Sequence, residues 1–153
     1  MLRGMGFQQR DGACGPASLK IVLNFFRIKV TEKQLMKDCR HSNACGEEAE
    51  VLLEAAKKYK LKGFLIHNAD IKDIRKYLKK KYLMIVDWFE EDDGHFSVVS
   101  HIDKENIYLQ DPSLGHVRAM RLDIFKRVWF TFPGKYMKTN NDLKLRELLV
   151  LHK

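Results

Sequence analysis

Cysteine and proline are both scarce in this chain, with three of each in 153 residues. Three thiols make an odd, sparse set that argues against a disulfide framework and fits a reducing compartment. Proline and glycine are too thinly spread to form a linker, and neither an internal repeat nor a low-complexity block appears. No apolar run approaches the ~20 residues needed to span a bilayer. The opening stretch MLRGMGFQQR holds no apolar core of signal-peptide length. These absences leave an expectation of one domain over residues 1–153, cytoplasmic and without a membrane span.

What is present points to a folded globule. The hydrophobic share is 45%, and nine Phe, five Tyr and two Trp supply bulky core material. The formal charge of +8 has two readings. A basic surface attracts acidic peptides, nucleic acids or membranes. Lysine runs such as Lys57-Lys58 and Lys79-Lys80-Lys81 equally describe solvated helix faces. No nucleic-acid motif accompanies the charge, so the second reading is preferred and no nucleic-acid partner is expected.

The first half reads as helical. From Ala17 to Ile28 nearly every position is apolar except Lys20, Asn24 and Arg27, which form one polar stripe on a buried helix. Thr31-Glu32-Lys33-Gln34 resembles a capping sequence and predicts a short helix to about Asp38. Glu47–Tyr59 carries glutamates in its first turn and lysines in its last, as the helix dipole favours. Asp70 can cap a helix with Ile71, Ile74, Tyr77 and Leu78 on one face.

The second half reads as strands. Tyr82–Trp88 is an apolar run, and Phe96–Ile102 and Asn106–Gln110 flank the polar turn Asp103-Lys104-Glu105 as a hairpin. Arg127–Phe132 is a further strand candidate, and Leu143–Lys153 reads as a short tail. The predicted class is α+β, with an N-terminal helical part packed on a C-terminal antiparallel sheet.

One stretch raises a chemical question: QQRDGACGPASLKIVLNFF, residues 8–26. Pro16 suits a first helical turn, where its missing N–H costs nothing. Cys14 then sits at the helix start, where unpaired N–H groups and the dipole favour a thiolate. A cysteine is as often simply buried, so packing and nucleophile stay equally open on this evidence.

A nucleophilic thiolate needs a base, an orienting group and oxyanion donors. His95 follows the acidic run Glu90-Glu91-Asp92-Asp93-Gly94 and opens a strand; Asp111, before Pro112, ends the next one. A centred turn sets Asp111 opposite Val98 rather than His95. Contact therefore needs twist, a bulge or a slipped register. Singly, His95 also reads as a loop histidine and Asp111 as a turn-former.

Three stretches taken together are more specific. They are Gln8 six residues ahead of Cys14-Gly15-Pro16-Ala17-Ser18, then Gly94-His95-Phe96-Ser97-Val98-Val99, then Leu109-Gln110-Asp111-Pro112. Their order and spacing resemble the peptidase C39 family of papain-like cysteine peptidases. The resemblance implies a papain-like fold with Cys14 as nucleophile and His95 as general base, then acid. It further implies that Asp111 orients His95 and Gln8 donates to the oxyanion, with Gln9 an adjacent competitor. No cofactor is implied. Family members commonly precede ABC transporters and remove double-glycine leaders from peptide precursors. A peptide or protein substrate and a partner transporter are the partners this suggests, although this chain carries neither membrane spans nor an ATPase part.

Two other classes compete. Phytochelatin-synthase-like acyltransferases share a Cys-Gly helix start and a Gly-His-Phe segment, but the Asp-Pro after the second strand fits C39 better. A C39-like fold could also bind peptides without cleaving them, although all four expected side chains are kept.

Other polar groups weigh less. Cys39, His41 and Cys45 lack a fourth ligand at a zinc-binding spacing, so no metal is expected there. His101 shares strand parity with His95, while His67 and His116 have no evident partners.

Overall fold

The computed structural model describes residues 14–39, 49–90, 93–112, 115–132 and 136–153. Gln8, Gln9, His41 and Cys45 lie outside the described residues. Helices α1 (Cys14–Phe25), α2 (Glu32–Asp38) and α3 (Ala49–Lys58) come first, followed by β1 (Lys62–Ile66) and α4 (Ile71–Lys79). A meander then runs through β2 (Leu83–Glu90), β3 (Asp93–Ile102), β4 (Asn106–Asp111) and β5 (His116–Arg121). The chain closes with α5 (Leu122–Val128), β6 (Phe130–Thr131), a 3-10 turn at Asn140–Asp142, β7 (Lys144–Leu145) and β8 (Leu148–His152).

Local chemistry explains the helix limits. In α1 every residue from Cys14 to Leu19 is buried, as are Ile21, Val22 and Leu23. Such a helix belongs inside a core. It ends earlier than the sequence pattern suggests because Arg27 turns to φ 61°. The Ile28 N–H then reaches back to the Leu23 carbonyl at 2.9 Å, a left-handed C-terminal cap. Of the predicted stripe, Asn24 and Arg27 are exposed and Lys20 is half-buried. Thr31 Oγ1 accepts from the Gln34 N–H at 3.1 Å and starts α2. Asp70 and Asp73 form a reciprocal capping box on α4.

Six strands form one sheet in the order β1-β8-β2-β3-β4-β5, every neighbouring pair antiparallel. Alternation along the central strands divides the core. Leu83, Ile85, Phe96, Val98, Leu149 and Leu151 pack with residues of α1, α2 and α3. Met84, Val86, Val99, Leu109, Leu148 and Val150 pack with Ile71 and Ile74 of α4 and Phe125 of α5. Helices therefore cover both faces of the sheet.

Several elements escape the sequence reading. Leu143–Lys153 is no tail, because β8 lies inside the sheet between β1 and β2. Its apolar run Leu148–Leu151 does not alternate because both faces are buried. Arg127–Phe132 holds a shorter strand than its pattern suggests, since Arg127 and Val128 end α5 and Phe130–Thr131 alone forms β6. The N-cap of α5, Arg121, makes no side-chain capping bond and so leaves no start signal. The edge strands β1 and β5 alternate poorly in burial.

The placement of β8 makes a prediction. Leu151 is fully buried in an internal strand, so Leu151→Ala should cost about 2–5 kcal/mol of stability. Urea unfolding measures the loss, and a cost like that of an exposed residue would contradict an internal β8.

Candidate active site

Cys14 is the first residue of α1 and is almost fully buried. His95 sits near the start of β3 opposite Trp88 of β2, and Asp111 ends β4. His95 Nε2 lies 2.6 Å from Asp111 Oδ1. The imidazole also hydrogen-bonds Cys14. Three residues from distant parts of the chain thus form one hydrogen-bonded run.

A β-bulge makes the His95–Asp111 contact possible. Near the hairpin turn His101 pairs with Tyr108 and Ile102 with Ile107. An unbroken ladder would carry Asp111 opposite Val98, on the other face of β3 from His95. The register shifts between Val99 and His101, so that Val99 faces Leu109 and Val98 faces Gln110. The next step sets Asp111 across from Ser97, on the face His95 shares. One extra residue therefore supplies the parity that the contact requires. The same shift removes His101 from that face. It packs instead against Tyr108, with ring centroids 5.6 Å apart, which corrects the expectation that it faces as His95 does.

The surroundings of the pair are dry. His95 is 7% exposed and Asp111 fully buried. The Trp88 ring meets the imidazole edge-on, with centroids 5.5 Å apart, and its indole N–H donates to Ser97 Oγ at 3.0 Å. Gly94 is needed for close approach, since a Cβ there would overlap Thr131 Oγ1 of β6.

Charge balance at His95 favours the imidazolium. Burial pushes its pKa down, but the hydrogen bonds to Asp111 and Cys14, together with their negative charge, raise it from 6.5 to about 10. Arg118 of β5 and Glu90 of β2, both missed in the sequence reading, complete the cluster. Arg118 Nη1 lies 2.6 Å from Glu90 Oε1 and 3.2 Å from Asp111 Oδ2. The only sequence signal for Arg118 is its position seven residues beyond Asp111 in a strand that the burial pattern hides.

Among the described residues, two groups bring three metal-capable donors within 4.8 Å of one another. In one, Glu90, His95 and Asp111, the Arg118 guanidinium already supplies the cation. The other is Glu50, His67 and Glu147, with His67 Nδ1 3.0 Å from Glu147 Oε2. This gives His67 the partner that its sequence context does not suggest. His116 Nδ1 lies 3.1 Å from the Val117 carbonyl.

Residues 5–132 match the family model of the peptidase C39 family. The chain belongs to the peptidase C39 family. It is 29% identical over 122 residues to an uncharacterized protein of Methanothermobacter thermautotrophicus, with 80% of each chain covered. Its fold is that of solved C39 peptidase domains. The peptidase domain of Streptococcus ComA, a bifunctional ABC transporter in a quorum-sensing pathway, superposes with a TM-score of 0.76 at 21% identity, covering 99% of both chains. A double-glycine-motif protease from an AMS/PCAT transporter, solved with its leader peptide, gives a TM-score of 0.69 at 23% identity, covering 96% of this chain and 89% of that one. Among the described residues of this C39 domain, no helix is long and apolar enough to cross a membrane.

The raised His95 pKa predicts a pH dependence of stability. A folded pKa above the unfolded one means that the stabilisation is fully present below about pH 6.5. It declines as pH rises and is lost as pH passes about 10. The stability gap between wild type and His95→Gln, read from urea unfolding, should narrow across that window. A gap that stays constant from pH 6.5 to above 10 would contradict it.

Proposed function

We propose that this chain is a cysteine peptidase working by acyl transfer from Cys14. The hydrogen-bonded run Cys14–His95–Asp111 at a helix start carries this reading. The Cys14 thiolate attacks a peptide carbonyl, and the tetrahedral oxyanion forms beside the N–H groups that the first turn of α1 leaves unpaired. Gln8 adds a side-chain donor there. His95, held as imidazolium by Asp111, protonates the leaving amine. It then takes a proton from the water that releases the acyl group, which restores the thiolate and the imidazolium.

Membership in a peptidase family supports the reaction class. The leader peptide bound to the AMS/PCAT transporter protease supports a precursor or leader segment as substrate here. The relation to transporter peptidase domains supports a transporter as partner. A cytoplasmic setting belongs to the same proposal, since three cysteines in 153 residues make a sparse set that suits reducing conditions.

The test uses a thiol-directed peptide probe and a set of precursor peptides. Wild type should label and cleave, and Cys14→Ala should do neither; equal labelling of the alanine variant sinks the proposal. Gln8→Ala should lower turnover by roughly 10²–10³, while a small alkylating agent, which forms no oxyanion, still reacts with Cys14. Adding an amine acceptor distinguishes hydrolysis from transpeptidation. A dominant transpeptidation product would make the chain an acyltransferase instead.

A further inference from the structure

The acyl-transfer scheme uses one carboxylate at His95, yet the structure places two there. Glu90 Oε2 lies 3.7 Å from His95 Nε2, the nitrogen that meets Asp111 Oδ1 at 2.6 Å. A single N–H cannot serve both acceptors well, and two carboxylates at one imidazole repel each other. Arg118 joins them. Its Nη1 reaches Glu90 Oε1 on one side and Asp111 Oδ2 on the other. Each carboxylate thus gives one oxygen to the guanidinium and turns the other toward His95.

Arg118 is itself well fixed. It pairs with Leu109 across β4 and β5, two residues before Asp111 and on the same face. Its guanidinium lies 5.2 Å from the centroid of the Trp88 ring, the ring that packs edge-on against His95. One indole therefore supports both the cation and the imidazole.

We propose that Arg118 is a positioning residue of the peptidase site: it turns Asp111 Oδ1 toward His95 and holds Glu90 back from the same ring nitrogen. The catalytic consequence rests on the acyl-transfer reading; the charge consequence does not. Among the described residues, the charged and titratable groups around His95 include Cys14 from α1, Glu90 from β2, Asp111 from β4 and Arg118 from β5. Without the guanidinium, both carboxylates act on the imidazole uncompensated, and Glu90 competes with Asp111 for its proton. Without Glu90, the guanidinium faces one negative charge fewer and destabilises the imidazolium more.

The experiment compares wild type with Arg118→Gln, Arg118→Lys, Glu90→Gln and the double Glu90→Gln/Arg118→Gln. The rate of Cys14 alkylation by an uncharged haloacetamide is followed from pH 6 to 11, alongside peptide turnover. Arg118→Gln should raise the upper inflection of the alkylation profile by about one pH unit, and Glu90→Gln should lower it. The double variant should return it close to wild type. Arg118→Lys should keep the inflection but lower kcat by roughly tenfold with KM unmoved, since an ammonium on a flexible stem lacks the planar group that rests on Trp88 and fixes the donor nitrogen. An unmoved inflection in both single variants, or turnover falling only in step with thermal stability, overturns the proposal. If Arg118→Gln does not fold, Glu90→Gln decides the charge effect by the same downward shift or its absence. The alkylation arm needs no substrate, so a wild type that cleaves nothing refutes the peptidase reading and leaves Arg118 still tested.

Discussion

Everything at this site depends on strand parity. Side chains alternate between faces with a period of two, so two residues on paired strands share a face only if the register lets them. A regular β3–β4 ladder would separate His95 from Asp111. The bulge between Val99 and His101 brings them together. It acts several residues from the chemistry, which lets the hairpin turn stay tight while the far end of the ladder is offset. Bulges that redirect a side chain near a reacting centre serve this purpose in many sheets.

Burial then strengthens what parity permits. His95 lies between a thiol and a carboxylate, with Trp88 closing off water. In such surroundings, charges interact more strongly than they would at the surface. Desolvation alone would strip the imidazole of its proton, and its acceptors reverse that. The same low dielectric makes a second nearby carboxylate consequential, and so the Arg118–Glu90 pair on the open side of the cluster belongs to the electrostatics of His95.

Much of this was legible before any coordinates. The caps at Thr31 and Asp70 mark helices because their side chains bond locally to the first turn. Cys14, His95 and Asp111 stand out because each lies at or near the end of an element with a recognisable local signal. The bulge was legible only as a requirement, since an extra residue in a run of Ser, Val and His leaves no compositional trace. Arg118 was hidden because it lies in an edge strand whose burial does not alternate. The strand β8 was missed for the opposite reason, being buried on both sides, so that its apolar run carries no period. Pairing partners distant in sequence decide both cases, and local pattern does not register them.

The position of β8 bears on the order of assembly. The β2–β5 meander joins neighbours in sequence and can pair as soon as it emerges from the ribosome. β1 cannot, because its one hydrogen-bonding neighbour in the sheet is β8. Leu149 and Leu151 also belong to the core against which α1 packs. Contacts between such distant segments form slowly, because a long loop must close first. The imidazole and its carboxylate can therefore be paired early, and α1 can bring the thiol to them on β3; β1 and the helix α3 that packs on it wait for the last strand.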